Sequence, residues 1–175
     1  GAAIGDQAFV LAVNPDTTPI LAAARYGKGK VVVAGDDSYF KFTPDITDER
    51  KTVARNILLW LTEDSETLTY QEALEGKGRL PMLSATWKNY TIETDVPIDL
   101  VRLEQFTPEH LDPSRYPVAY VDGTLKDSEI DVLEDYVAQG GHVVVPLKGW
   151  VMEQYPHVFL GNEYQGRSGR LSEDF

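Results

Sequence analysis

Residues 118–146, which read VAYVDGTLKDSEIDVLEDYVAQGGHVVVP, give the clearest indication of the architecture. Two short apolar runs, 118–121 and 142–146, flank a polar segment with apolar residues at helical spacing, namely Ile130, Leu133 and Val137. Neither run alternates with polar residues, which is typical of strands that are covered on both faces. The stretch therefore predicts two parallel strands joined by a helix.

The helix within this stretch has recognisable ends. Thr124 followed by Asp127 fits the pattern of a capping box, so we predict that the helix begins there. Gly140 and Gly141 come directly after Gln139, and glycine is the usual residue just past a helix. We therefore predict that the helix ends at about Gln139.

The sequence before this unit adds elements of the same kind. Apolar runs at 80–86 and 98–103 predict two further strands. Thr107 before Pro108 predicts a short helical turn, because proline is favoured at the first helical position. Strands in alternation with helices predict an α/β fold with a mostly parallel sheet and helices on both faces.

A second informative stretch, residues 25–40, reads RYGKGKVVVAGDDSYF and invites a phosphate-binding interpretation. A Walker loop requires G-x-x-x-x-G-K-[ST] between a strand and a helix. Here Val31 takes the hydroxyl position, Ala24 takes the first glycine position, and the glycines precede the strand. Since apolar runs at 20–24 and 30–34 flank the glycines, we predict a β-hairpin that extends the sheet in antiparallel fashion.

Two more elements complete the amino-terminal part. FVLAV at 9–13 predicts a strand. Residues 48–62 predict the clearest helix, whose apolar residues share one face, namely Val53, Ile57, Trp60 and Leu61. We expect the indole of Trp60 to pack in the core.

Composition excludes several classes of function. The 175 residues carry a formal net charge of −12 at pH 7, and nucleic acids and anionic membranes are bound by clustered Lys and Arg, so we expect neither as a partner. The chain has no cysteine, which excludes disulfides, cysteine–zinc sites and a thiol nucleophile. No apolar run approaches the roughly 18 residues of a membrane span, so we predict no membrane insertion.

The order of elements divides the chain into three parts. Residues 1–62 hold the hairpin and the first helix, and residues 63–79 are polar and glycine-containing, which predicts a linker or an excursion. Residues 80–175 hold the parallel half, with a loosely ordered tail expected from about residue 160. Because the chain begins at Gly1 and ends abruptly, we expect it to be a piece of a longer protein.

Candidate functional residues follow the strands at 30–34, 118–121 and 142–146. Ligands of open α/β sheets bind beyond the carboxyl ends of strands. Paired carboxylates there suit acid–base chemistry or a hard cation, and aromatic rings suit stacking on sugars. Aspartate after a strand is also a common turn residue, so that role stays open. The candidate binding residues are Asp36, Asp37, Tyr39, Asp122, Lys148 and Trp150.

No familiar catalytic motif is present. HExxH and G-x-S-x-G are both absent, and the three histidines, at 110, 142 and 157, do not have the spacing of metal ligands. We therefore predict no catalytic residue, no metal site and no cofactor.

Two parts of the chain resemble segments of one known family. TPILAAARYGKGKVVVAGDDSYF (18–40) with VARNILLWL (53–61), and VAYVDGTLKDSEIDVLEDYVAQGGHVVVPLKGW (118–150), are similar to enhancin-like, mucin-targeting metallopeptidases and accessory colonisation factor-type surface proteins. The resemblance implies a domain like class I glutamine amidotransferases, with a flavodoxin-like core. The family's metallopeptidase motif would then lie outside this chain.

The chain departs from that family at the positions where chemistry is expected. Amidotransferases carry a G-x-C-x-G elbow after the strand that HVVVP resembles, whereas this chain has Lys148, Gly149 and Trp150 there. Without any cysteine, glutaminase chemistry is excluded. Gly-His-Asp in the family corresponds here to a glycine followed by Asp36 and Asp37.

We therefore expect a non-catalytic accessory domain of a larger secreted or surface protein, located outside the cell or on its surface. It would position a peptidase or bind a glycan, a glycoprotein or other domains of the same polypeptide through the strand-end loops. Two alternatives stay open. A metal-assisted, carboxylate-based hydrolase requires Asp36, Asp37 and Asp122 to converge, and a structural spacer requires no site.

Overall fold

The structure is a computed structural model, and it describes residues 8–13, 15, 19–35, 40, 46–86, 95–122 and 125–146. Within these residues there are seven strands and three helices, and all but one of these elements follow the order that the sequence predicts. They are β1 (Ala8–Val13), β2 (Pro19–Tyr26), β3 (Gly29–Ala34), α1 (Asp48–Thr62), α2 (Tyr70–Leu74), β4 (Leu80–Thr86), β5 (Ile98–Arg102), β6 (Val118–Asp122), α3 (Asp127–Ala138) and β7 (His142–Pro146). The exception is α2, which lies in the segment 63–79 that the sequence analysis predicts to be a linker or an excursion.

The strands form one sheet in the order β1-β2-β3-β7-β6-β4-β5. β1, β2 and β3 pair antiparallel, whereas β3, β7, β6, β4 and β5 pair parallel. The prediction of a mostly parallel α/β sheet with an antiparallel start is confirmed. β3 belongs to both parts, because its antiparallel partner β2 lies on one side and its parallel partner β7 on the other.

Residues 118–146, with which the sequence analysis begins, form β6, α3 and β7, and β6 and β7 are parallel neighbours. The predicted start of the helix at Thr124 is wrong, since α3 begins at Asp127 with Lys126 as its N-cap. The Glu129 carboxylate accepts a hydrogen bond from the Lys126 backbone N–H at 2.8 Å. Glutamate three residues after the cap thus satisfies an amide at the helix end, while Thr124 lies outside the described residues.

The predicted hairpin is confirmed, and its glycines permit close packing. Gly27 (φ +56°) and Lys28 form a two-residue turn between β2 and β3. The Lys28 N–H donates to the carbonyl of Ala138 at 3.2 Å, and a Cβ on Gly27 would lie 2.7 Å from the Ala138 Cα. A Cβ on Gly29 would overlap the carbonyl oxygens of Val137 and Gly141. The glycines therefore let the hairpin approach the end of α3, and no phosphate is needed to explain them.

Each face of the sheet carries its own core. α1 and α2 cover one face, where Leu58 and Leu61 are fully buried, and α3 covers the other, where Leu133 and Val137 are fully buried. Trp60 packs against the margin of the first core and is only partly buried, so it does not lie within the core as the sequence predicts. Covered faces on both sides explain why the central strands are apolar without alternation.

The segment 63–79 contains α2, which is tied to the end of α1. The Thr62 hydroxyl donates to the Leu58 carbonyl at 2.8 Å and accepts from the Tyr70 N–H at 2.9 Å. Thr69 and Glu72 form a capping box at the start of α2. The division into parts at residues 62 and 79, with a tail from about 160, stays a prediction.

No helix in the described part of the chain is both long enough and apolar enough to cross a bilayer.

Candidate functional site

The strand ends that the sequence selects lie at one edge of the sheet. β3, β7 and β6 are consecutive parallel neighbours, so their carboxyl ends point the same way. Ala34 lies opposite Pro146 at the ends of β3 and β7, and Thr86 of β4 lies opposite Asp122 of β6. At this edge the strand order also reverses, since β5 and β6 lie on opposite sides of β4. Such a reversal is where ligands of open α/β sheets bind.

The candidate residues themselves fall mostly outside the described residues. This applies to Asp36, Asp37 and Tyr39 after β3 and to Lys148 and Trp150 after β7. Asp122 is the last residue of β6, but only its backbone is described. The binding role of these six residues, and the convergence of the three aspartates, stay predictions.

The opposite edge of the sheet holds a charged cluster that the sequence did not reveal. Lys30, at the start of β3, is only 1% exposed. Its ammonium donates to the Trp60 carbonyl at 2.7 Å and to the Glu63 carboxylate at 2.8 Å, and it lies 3.0 Å from the carboxylate of Asp64. With three acceptors for three N–H groups, the ammonium has no donor left for a phosphate.

Lys30 thereby fixes the carboxyl end of α1 against β3. A cation is favourable there because the helix dipole places partial negative charge at the last carbonyl groups. A faint sequence signal existed, since Glu63 and Asp64 directly follow the helix, where anions are unfavourable unless a cation is near. The lysine lies more than thirty positions earlier in the chain, so the signal did not identify it.

Aromatic rings surround this cluster. The Trp60 ring lies 5.2 Å from the Lys30 ammonium and 5.8 Å from the Arg25 guanidinium. Phe9 of β1 contacts the same ring edge-on at 5.6 Å between centroids. Arg25 also approaches Glu63 at 3.6 Å, although both side chains are about half exposed. The indole thus links β1, β2 and β3 to α1.

His142 completes the buried part of the cluster. Its Nδ1 accepts a hydrogen bond from the Lys30 backbone N–H at 3.2 Å. Burial, and then the charge of Lys30, lowers the pKa of His142 to about 4, against a smaller opposite effect of Asp64. The imidazole is therefore neutral at pH 7, which keeps its acceptor nitrogen available. The pKa of Asp64 is lowered by the hydrogen bond and charge of Lys30.

A cleft of about 650 Å³ lies beside the cluster, between α1 and α2. Indole, aliphatic, amide, hydroxyl and carboxylate groups line it, namely Asn56, Leu59, Trp60, Glu63, Thr69 and Gln71. Its volume is within the range of small-ligand pockets. In the described part of the chain, no group of three or more His, Asp or Glu side chains is placed to hold a metal ion.

These features define a mixed α/β domain of the layered, open-sheet class. The family model described as "TRPM8, N-terminal domain" (TCAF_N) matches residues 3–164. The chain therefore belongs to this family.

Two curated relatives carry the same name. The chain is 40% identical over 62 residues to the TRPM8 channel-associated factor homolog of Xenopus laevis, which covers 35% of this chain and 6% of the relative. It is 34% identical over 74 residues to the homolog of Danio rerio, covering 41% of this chain and 7% of the relative. The matched segments thus span a small part of these relatives.

Solved structures with a similar fold come from a different protein. The IMPa metallopeptidase of Pseudomonas aeruginosa in complex with an O-glycopeptide has a TM-score of 0.59 at 11% identity, covering 97% of this chain and 19% of that one. A second IMPa structure has a TM-score of 0.59 at 7% identity, with 81% and 16% covered. At these identities the likeness concerns the fold alone.

The resemblance to mucin-targeting metallopeptidases and accessory colonisation factor-type proteins is therefore corrected. The family match and both curated relatives point to TRPM8 channel-associated factors, which conflicts with a mucin, glycan-binding or metallopeptidase-associated role. The reason is visible in the motif GKG: Gly27 and Gly29 serve the packing of the hairpin on α3. Such packing glycines accompany the fold and carry no information about function.

Proposed function

We propose that this chain is an accessory, protein-binding domain of a channel-associated factor, and that it contributes to the association of the factor with TRPM8. The main support for this proposal is the family match over residues 3–164. Two relatives named TRPM8 channel-associated factor homologs support it further. Because the matched segments cover only 6% and 7% of those relatives, the chain would act as one module of a much larger protein.

The geometry suits a binding module. The open cleft beside α1 presents an indole next to hydrogen-bonding groups, a combination that protein interfaces favour. Lys30, the one buried cation among the described residues, is fully engaged in fixing α1. We propose on this basis, and from the names of the relatives, that the domain acts without catalysis.

We also propose that the parallel part of the sheet is flavodoxin-like. The order β5-β4-β6-β7 reproduces the first four places of the doubly wound order 2-1-3-4-5, with β3 from the amino-terminal part in the fifth place. The location outside the cell or on its surface stays a prediction, which protease treatment of intact cells would test through loss of the intact chain.

Capture of the channel tests the proposed function. The immobilised chain is incubated with detergent-solubilised membranes from cells that express TRPM8, with an unrelated channel as control. We expect retention of TRPM8 that free chain in solution competes away. Equal retention of TRPM8 and of the unrelated channel would overturn the proposal and favour a structural spacer.

A further inference from the structure

Residues 20–24 of strand β2 are all apolar, but in the described part of the chain only one face of this segment is covered. Leu21 and Ala23 are 4% and 3% exposed and belong to the core under α1. Ala22 and Ala24, which point to the other face, are only half-buried and belong to neither core. Residues 20–24 thus have the sequence of a strand segment covered on both faces, although the described residues cover only one.

The uncovered apolar surface continues from β2 onto β1. Val10 lies opposite Ala22 in the antiparallel pair and is 42% exposed. Ala22 lies opposite Val33, which packs on the core under α3. The open residues therefore lie on the α3 side of the sheet, beyond the part of the sheet that α3 covers. We call the surface formed by Val10, Ile20, Ala22 and Ala24 the open face.

The shape of the open face suits a helix. In mostly parallel sheets the faces are covered by helices. Ala22 and Ala24 provide a flat floor with no large side chain in the way. A strand added at the outer edge of β1 would leave this floor uncovered.

An acidic flank of α3 runs beside the open face. Asp127, Asp131, Glu134 and Ala138 are spaced by four, three and four residues, so they form one stripe of the helix. The Ala138 end of this stripe contacts the β2–β3 turn. Within the described residues, the three acidic side chains form no ion pair.

Tyr26 locates the flank relative to β2. The pKa of Tyr26, the last residue of β2, is raised first by burial and then by the negative charges of Glu134 and Asp135. The acidic groups of α3 are therefore close to β2. Lys28 is exposed in the turn at this end, whereas the neighbouring basic residues Arg25 and Lys30 lie on the α1 side of the sheet with Glu63.

We propose that the open face, together with the acidic flank of α3, binds a basic amphipathic helix of a partner protein. The apolar side of such a helix would rest on β1 and β2, and its Lys or Arg side chains would face the flank. The proposal deepens the proposed function and rests on it, because the channel or its complex would supply the helix. An anionic membrane surface fits poorly, since the flank would repel it.

Other occupants are less well matched. Residues 147–175 carry three basic and four acidic side chains in their sequence, and residues 1–7 carry one acidic and no basic side chain. Neither segment offers a cationic helix face. A second copy of the chain would bring another acidic flank and a net charge of −12.

A model peptide tests the proposal directly. The probe is a fluorescein-labelled Leu/Lys amphipathic helix of about 18 residues, compared with a Leu/Glu helix of the same length. We expect the chain to bind the Leu/Lys helix by fluorescence anisotropy and not the Leu/Glu helix. Asp131→Lys with Glu134→Lys should weaken binding at least about tenfold, and Ala24→Glu should do the same.

The matched control is Asp99→Lys with Glu104→Lys, which changes the net charge equally at exposed positions of β5 and the residues after it. This control should keep the affinity within about twofold of the wild type. Circular dichroism and thermal unfolding show that each variant is folded. If the control weakens binding as much as the flank variant, binding is only a matter of net charge and the proposal is wrong.

The absence of native cysteine allows a second measurement. In Ala22→Cys, a maleimide should react quickly with the isolated chain and more slowly once the Leu/Lys helix is bound. If the cysteine of Ala22→Cys is already fully protected from maleimide at low chain concentration and without the Leu/Lys helix, a segment of the chain itself covers the open face. Protection that grows with chain concentration would mean a second copy, and either result overturns the proposal.

TRPM8 capture and Leu/Lys helix binding together distinguish an error in the proposed binding surface from an error in the proposed function. If wild type and the Asp131→Lys, Glu134→Lys variant capture TRPM8 equally, the surface is wrong and the proposed function stands. If wild type does not capture TRPM8 but binds the Leu/Lys helix with the expected loss in the flank variant, the proposed function fails. In that case the surface would serve a different basic partner.

Discussion

Strands β7 and β1 have equally apolar sequences, HVVVP and AFVLAV, yet their surroundings differ completely. Every residue of β7 is buried, because β3 and β6 flank it and helices cover both faces. In β1, Phe9, Val10, Leu11 and Val13 are 41% to 51% exposed. Among the described strands, β1 lies at the edge of the sheet and pairs only with β2. An apolar sequence thus shows that a strand is suited to burial on both faces. Whether it is buried depends on the strands and helices that pack against it.

The largest expected contrast compares the same substitution in the two regions. Leu133→Ala, under the α3 side of β7, should lower the free energy of unfolding by about 4 kcal/mol, because it leaves a cavity in a closed core. Leu11→Ala in β1 should cost less than about 1 kcal/mol, because Leu11 is 43% exposed. Urea denaturation measures both. Similar losses would mean that β1 is covered as β7 is.

A second contrast compares Gly29, the first residue of β3, with Gly35, which directly follows the last residue of β3. Gly29→Ala should cost about 3 kcal/mol, since the new methyl group would meet the carbonyl oxygens of Val137 and Gly141. Gly35→Ala should change stability by less than about 1 kcal/mol, because its nearest neighbour, the Ile20 carbonyl oxygen, would lie 3.4 Å away. Thermal unfolding distinguishes them. A tolerated Gly29→Ala would contradict the close packing of hairpin and helix.

The third prediction concerns pH and the start of β7. The folded pKa of His142 is about 4 against 6.5 in an unfolded chain, so the unfolded state binds the proton more tightly. The contribution of neutral His142 to the free energy of unfolding is therefore fully present above about pH 6.5. It falls by about 3 kcal/mol as the pH is lowered toward 4.

His142→Asn should abolish this part of the pH dependence while keeping an acceptor for the Lys30 N–H. His110→Asn, at an exposed position, is the matched control and should leave the dependence unchanged. Urea denaturation at several pH values between 4 and 7 measures the difference. An unchanged slope in His142→Asn would show that other groups cause the dependence.

The smallest contrast is expected between two substitutions of Lys30, at the start of β3. In Lys30→Met, methionine keeps the volume and removes a buried charge, so the free energy of unfolding should change by less than about 1.5 kcal/mol. Lys30→Ala should cost about 3 kcal/mol, because it also empties the site. Chemical denaturation compares the two variants. Equal, large losses would mean that the ion pairs with Glu63 and Asp64 stabilise the fold more than packing does.

Local signals in the sequence predict every element except α2, a five-residue helix in the segment 63–79 that was predicted to be a linker. The helical spacing of Val53, Ile57 and Leu61 predicts α1 with its observed bounds, and the glycines at 27 and 29 predict the hairpin. The start of α3 was misjudged by a few residues, because Thr124 and Glu129 offer competing caps. The strand ends at 34 and 146 indeed share an edge, but the candidate side chains beyond them stay untested.

The family resemblance went wrong for a physical reason. The glycines and apolar runs that carried it are those that any domain with this hairpin, helix and sheet requires. Packing motifs follow the fold, whereas function depends on surfaces, which differ between proteins of one fold.

The sequence alone predicts all seven strands and the approximate bounds of α1 and α3, because turns, caps and hydrophobic periods act over a few residues. The burial of Lys30 against Trp60 and Glu63 is visible only in the folded chain, and so is the face of β2 that the described residues leave uncovered beside an acidic helix. These features depend on residues that are distant in the chain and close in space. Burial and charge environment are properties of that arrangement, and no local pattern contains them.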